Sequence, residues 1–174
     1  MRRASCSPDG KVFGGLSLVW GVDVQQVDIS GKAVSLRTAT AVGAIRLRPE
    51  TLRRIREGRV EKGDPIGLAK MMAVLAAKQT PNLLALCHPL KIEHTDVDVA
   101  IGEDSISVSV TVTAHEKTGV EMEALTAVAV ALLNIWDLVK AYEKDEGGQY
   151  PHTSIESIRV VRKVKMPVEA PRAA

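Results

Sequence analysis

The stretch from Lys117 to Lys144, KTGVEMEALTAVAVALLNIWDLVKAYEK, constrains this chain more than any other. Met122, Leu125, Val128, Ala129, Leu132, Ile135, Trp136 and Val139 recur at helical spacing, so one face of a long helix is apolar. The opposite face holds Ala124, Ala127, Ala131 and Leu138, and between Ala124 and Tyr142 the polar side chains are Thr126, Asn134, Asp137 and Lys140. A helix apolar nearly all round must be covered on more than one side. Asp137 and Lys140 stand three residues apart, about 60° on the helical wheel, so an acid and a base face one direction from a largely apolar rod. The couple is either part of an active site or an (i, i+3) ion pair at the solvated end of a core helix.

The segments around this helix define its cover. Residues 1–20 mix Gly, Ser and charge without lasting periodicity and read as a flexible arm, with one short strand near Leu16 to Trp20. A single folded domain is expected over 21–166 and a frayed tail over 167–174. VDISGK, Val27 to Lys32, reads as a loop carrying an acid and a base. From Ala33 to Leu47 apolar and polar residues alternate and switch parity across Gly43, which predicts a strand bulged at the glycine. Pro49 opens a short helix that Gly58 closes, and Asp64-Pro65 caps a second that runs to Pro81 with Met71, Val74, Leu75 and Lys78 toward the sheet. The alternation at Val97, Val99 and Ile101, the turn Gly102-Glu103-Asp104 and the alternation from Ile106 to Val112 make the clearest hairpin signal. Its Ser/Thr face is either solvated or part of a polar subunit contact. A basic strand from Ile155 to Lys165 follows the long helix.

This order, strand, two helices, hairpin, long helix, strand, predicts an α+β fold. The architecture is a ferredoxin-like two-layer sandwich, an antiparallel sheet with helices on one face. One sheet covers only one side of the long helix, so a subunit contact is the economical cover for the other.

Composition narrows the chemistry. A net charge of +2 argues against a nucleic-acid footprint, and Cys6 and Cys87 lack the spacing of a zinc site or a disulfide framework. A reducing cytoplasm fits that usage. The N-terminal stretch has no continuous apolar core and is not read as a secretory signal; the run Ala124 to Trp136 is read as too short for a membrane span. No GxGxxG, P-loop or HExxH motif occurs. Thr118 and Glu121 have capping-box spacing, which commonly does no more than start a helix. Glu123 falls in the same first turn, where a carboxylate suits a guanidine-like base edge that donates hydrogen bonds. His88 precedes Pro89 and is therefore held extended, either as a satisfied core histidine or as a proton carrier near neutral pH. Cys87 is weak evidence for a nucleophile. Lys32, Arg37, Lys62, Lys117 and Lys140 fall at predicted loop and strand ends, as solubility charges or as a polyphosphate clamp.

Six motifs recur in order: VDISGK, Arg37, EKGD (Glu61 to Asp64), LCHPL (Leu86 to Leu90), KTGVEMEALTA (Lys117 to Ala127) and WDLVKA (Trp136 to Ala141). Together they resemble the molybdenum cofactor biosynthesis protein C family, the cyclic pyranopterin monophosphate synthases, over about Val27 to Lys165. The resemblance implies a ferredoxin-like subunit, a hexamer built as a trimer of dimers, and active sites at the dimer interface. It implies a lyase reaction in which a 3',8-cyclised dihydro-GTP is rearranged to cyclic pyranopterin monophosphate with loss of pyrophosphate. No cofactor or metal is implied. Carried over by motif, Asp137, Lys140 and His88 are the catalytic candidates. Leu86, Cys87, His88, Met122, Glu123, Glu121, Lys32, Arg37 and Lys62 are the substrate contacts. One departure stands out: family members from bacteria carry a glycine-lysine-serine loop after the last strand, where this chain reads RKVKMPVEAPRAA and offers Lys163 or Lys165. A non-catalytic nucleotide-binding or scaffold protein on the same fold is the competing class.

Overall fold

The computed structural model describes residues 24–168. The arm and short strand expected before residue 21, and most of the expected tail, lie outside that range. Seven elements follow in order: β1 (Ser35–Arg46), α1 (Pro49–Arg56), α2 (Pro65–Leu83), β2 (His94–Ile101), β3 (Ser105–Glu116), α3 (Glu121–Glu143) and β4 (Ser154–Pro167). The strands form one antiparallel sheet in the order β2-β3-β1-β4, the ferredoxin-like arrangement expected. Pro167, read as the start of a tail, pairs with Ser35.

The hairpin turns at Gly102, whose N–H donates to Ser105 O at 2.8 Å. Val97, Val99 and Ile101 of β2 register with Val110, Val108 and Ile106 of β3 on the face that the helices cover. The hydroxyl face stays half open, with Thr38 and Thr40 bonded across to Thr113 and Thr111.

Two expectations about packing are corrected. In β1 the parity never switches: Ala39, Ala41, Gly43 and Ile45 form one buried face, while Leu36, Thr38, Thr40 and Val42 line the open one. The irregularities lie opposite, in β4, which has an extra residue between Thr40/Ala41 and again between Val42/Ala44, with Ser157 at φ 56° at the second. Gly43 is required by closeness rather than by a bulge. A Cβ there stands 2.8 Å from Val128 Cγ1 and 3.0 Å from Leu132 Cδ1, so α3 lies directly on the strand.

The second correction concerns α2, which buries Ala69, Ala73, Ala76, Ala77 and Thr80 and leaves Met71 67% and Leu75 47% exposed. Small side chains let α2 approach α3, and the long ones point outward. Asp64 caps α2 as expected, accepting the Ile66 N–H at 2.9 Å. The helix runs one turn's fraction past Pro81, with the Leu84 N–H bonded to Thr80 O at 2.9 Å.

The central rod buries Ala124, Ala127, Val128, Ala131, Leu132, Ile135, Leu138 and Val139 against sheet and α2. Its whole length passes the length and hydropathy test for a membrane span, which the shorter reading from Ala124 to Trp136 missed, but half of its most apolar window is buried in the fold. It is a core helix. Its outer side stays uncovered in the single chain, with Met122 43% and Leu133 56% exposed.

Candidate functional site

Two groups of the sequence-predicted residues come together, one at each end of α3. At the N-terminal end, Gln25, Val27, Ile29, Lys32, Leu86, Cys87, His88, Leu90, Thr118, Gly119, Met122 and Glu123 line a cleft of about 300 Å³. The loop of VDISGK forms one wall; it is closed on itself by the Ser30 N–H to Asp28 Oδ1 (2.8 Å) and the Lys32 N–H to Ile29 O (3.1 Å). The backbone N–H of Ser30 is the main reason the Asp28 carboxyl titrates below its ordinary value. Gln26 ties this wall to the opposite one, donating from Nε2 to Leu86 O and Cys87 O at 3.3 Å each. Gln26 had no signal in the sequence, because the contact joins segments sixty residues apart.

Glu123 is the decisive side chain of this cleft. It is 2% exposed, and its Oε2 has no hydrogen-bond partner among the described residues. Burial pushes its carboxyl above the ordinary glutamate value and outweighs its own backbone N–H, which lowers it; the charge of Glu121 adds to the rise. Cys87 stands close enough for the Glu123 charge to add to the burial that raises its thiol, so the protonated form is favoured and a thiolate nucleophile is not. His88 lines the same wall, half-buried, and precedes Pro89.

The capping box does not form. Val120 is the N-cap and makes no side-chain cap bond; Thr118 faces the cleft instead. Glu121, half-buried, is engaged by Lys163 of β4 in an ion pair, which competes with backbone capping and takes this residue out of the cleft lining. Lys32 belongs to this cleft and to a neighbouring groove of about 410 Å³ that Arg37 and Lys165 also line. Arg37 reaches Lys117 O at 3.4 Å through Nη2, and its buried Nε is unpartnered among the described residues. Lys117 is committed to Ser30 O at 2.8 Å.

At the C-terminal end, Lys140 Nζ lies 2.7 Å from Asp137 Oδ1, and Lys62 Nζ lies 3.2 Å from Asp137 Oδ2 and 2.8 Å from Asp137 O. Both carboxylate oxygens are therefore engaged by cations. The hydrogen bond from Lys140, then that from Lys62, hold Asp137 below the usual carboxylate range. Asp137 in turn raises Lys140, which is 45% exposed, so the ammonium form is favoured. Tyr150 stands edge-on to Trp136, with ring centroids 5.7 Å apart.

The two groups do not meet within one chain. Fourteen residues separate Glu123 from Asp137, about 21 Å along a helix that rises 1.5 Å per residue. Chemically, the N-terminal cleft presents a buried carboxyl oxygen with capacity for a hydrogen-bond donor, while the C-terminal group holds a carboxylate between two ammoniums.

Comparison with known proteins adds an independent line. The profile of the MoaC family matches residues 26–165. The chain is 58% identical over 139 residues to a probable cyclic pyranopterin monophosphate synthase of Sulfurisphaera tokodaii, covering 80% of this chain and 92% of that protein. The protein of the same description from Pyrococcus abyssi is 55% identical over 142 residues, covering 82% and 89%. That from Pyrococcus horikoshii is 53% identical over 154 residues, covering 88% and 97%.

Proposed function

The chain belongs to the MoaC family, and from that premise we propose that it is a cyclic pyranopterin monophosphate synthase of molybdenum cofactor biosynthesis, a lyase acting in the cytoplasm. The substrate is (8S)-3',8-cyclo-7,8-dihydroguanosine 5'-triphosphate. The imidazole portion of the purine opens, a pterin ring closes, and an internal phosphoester forms as pyrophosphate leaves. The observation that carries the reading is the buried, unpartnered Oε2 of Glu123 in the cleft of Leu86, Cys87, His88 and Met122. A guanine-like edge offers N–H donors, and an acceptor without a partner in a buried cleft is complementary to them.

Roles follow from the chemistry of each group. Lys32 lines both the cleft and the neighbouring groove shared with Arg37 and Lys165, where fixed positive charge suits a triphosphate. Asp137, held ionised, is the base; Lys140, held as an ammonium, and His88 deliver protons. Lys62 keeps Asp137 ionised and adds charge for the phosphates.

Because one chain holds Glu123 and Asp137 too far apart for one substrate, the site takes Glu123, Cys87 and His88 from one subunit and Asp137, Lys140 and Lys62 from a second. The exposed Met71, Leu75, Met122 and Leu133 on the helix layer support a contact with another copy, and a trimer of such dimers is the assembly proposed.

The test uses pyrophosphate release from the cyclised GTP. Wild-type chain is expected to release it, and Asp137→Ala and Glu123→Ala homomers to fail while folded. After dissociation and random re-pairing of the two variants, about a quarter of the wild-type activity returns, since half the dimers are mixed and each then holds one intact site. No release by the folded wild-type chain leaves a nucleotide-binding protein on this fold. Release without recovery on mixing puts the site within one subunit.

A further inference from the structure

The side chain of Lys62 lies on the short loop Arg59–Gly63 between α1 and α2, a segment flanked by Gly58 at φ 64° and Gly63 at φ 108°. Both glycines adopt backbone conformations that other residues rarely share, so the loop has two pliant ends. A lysine stem on such a loop loses much freedom when its ammonium is held on one carboxylate. Something must limit the backbone for the contact to persist.

Besides the bond from the Gly63 N–H to Val60 O at 3.1 Å, which closes the loop on itself around Lys62, three contacts do so. The Arg59 N–H donates to Arg54 O at 2.8 Å, and the Val60 side chain is buried in the core at 7% exposure. The third comes from the far end of α3: the Glu61 N–H, one residue before Lys62, donates to the phenolic oxygen of Tyr142 at 3.0 Å. The ring of Tyr142 is itself held, with the Arg54 guanidinium 5.0 Å above its centroid and Arg54 paired to Glu50 at 3.2 Å.

From this geometry we propose that Tyr142 is a positioning residue for Lys62, setting through the Glu61 backbone where the Lys62 ammonium meets Asp137. The claim rests on the roles assigned above to Asp137 and Lys62. Glu61 is exposed, so its N–H finds water when the phenol is absent, and the hydroxyl is not needed to satisfy a buried donor. Its effect is to choose a location for the loop. Tyr142 touches neither Asp137 nor Lys140 by hydrogen bond; five residues beyond Asp137 on α3, it acts across the helix through a second segment. Among the described residues, the charged groups facing Asp137 are Lys62 from the loop and Lys140 from α3 itself.

Two readouts on the full-length assembly separate positioning from plain stability. The first is the rate of amine acylation at individual lysines, read by peptide mass spectrometry and independent of turnover. Tyr142→Phe is expected to speed acylation of Lys62 about threefold, the order of one lost hydrogen bond, while Lys140 and the surface Lys78 keep their wild-type rates. Asp137→Asn frees both Lys62 and Lys140 and calibrates the scale. The second is the pH dependence of kcat/KM for pyrophosphate release. Its acid limb moves to higher pH in Tyr142→Phe, as in Lys62→Ala, and the double variant moves it no further.

Equal acceleration at Lys62, Lys140 and Lys78 means general loosening and overturns the proposal. So does an unchanged Lys62 rate, or a Tyr142→Phe effect that persists in full on the Lys62→Ala background. If the wild-type chain releases no pyrophosphate, the reaction assigned above fails, and the acylation rates still decide whether Tyr142 sets Lys62.

Discussion

The two ends of α3 treat the same functional group in opposite ways. Glu123 is sealed in at 2% exposure, has an oxygen without a partner among the described residues, and titrates above the ordinary glutamate value. Asp137 is half exposed, has both oxygens engaged by ammoniums, and titrates below the ordinary aspartate value. The helix dipole alone favours the reverse order, since a carboxylate is stabilised near an N-terminus and not near a C-terminus. Desolvation wins at one end and ion pairing at the other. Two carboxylates whose surroundings drive their titrations apart are suited to different tasks, a ligand for hydrogen-bond donors and a ready base.

The comparison breaks first at Asp137. Asp137→Ala is expected to cut pyrophosphate release by roughly 10²–10⁴-fold, the range of a lost general base, with the circular dichroism spectrum unchanged. Retained turnover removes Asp137 from the mechanism and leaves an ordinary exposed ion pair.

Glu123→Gln comes next. Losing a charged hydrogen-bond acceptor lowers kcat/KM by about 10- to 100-fold, whereas stability moves the other way. The native state holds the Glu123 proton more tightly than the unfolded chain does. The stability contributed by this group is therefore whole below the unfolded glutamate value and is lost as pH rises through the raised native value. Glutamine escapes that loss, and Tm at pH 7.5 is expected to rise by about 2–4 °C, the effect of one kcal/mol in a chain of this size. The gain disappears below the unfolded value. For Asp137 the sign is opposite: its contribution is present above the unfolded value and lost as pH falls through the lowered native one. Asp137→Asn therefore gives no gain in Tm at pH 7.5. A fall in Tm with Glu123→Gln shows that an unseen donor meets that oxygen.

Lys62→Ala sharpens the C-terminal half. KM is expected to rise about tenfold, a phosphate contact of ordinary strength, and the acid limb of the pH profile to move up as Asp137 loses one of its two cations. An unchanged KM with a shifted limb assigns Lys62 to Asp137 alone. Gly43→Ala has the smallest expected effect on chemistry: its Cβ presses on Val128 and Leu132, midway between the two groups, and costs about 1–3 kcal/mol by overpacking. Tm falls while KM holds if α3 shifts as a rigid rod.

Much of the scaffold was legible in the residues. The hairpin, the Asp64 cap and the long apolar helix follow from local patterns that hold wherever they occur. Packing faces were harder to read in β1 and α2, where large side chains advertise periodicity but alanines and Gly43 make the close contacts. Thr118 and Glu121 matched a capping box by spacing, yet Lys163 from β4 takes Glu121 away. For the site, the motifs named Glu123, Cys87, His88 and Asp137, while Gln26 and Tyr142 were silent because their partners lie sixty to eighty residues away.

Short-range chemistry thus settled which elements form and which acids and bases the molecule has at its disposal. Solvent access and long-range neighbours settled how those groups titrate. Asp and Glu differ little along the chain; burial in the cleft wall lifts one carboxyl, and Lys140, joined by a lysine delivered from another segment, lowers the other. Electrostatic environment belongs to three-dimensional proximity, which no local pattern encodes.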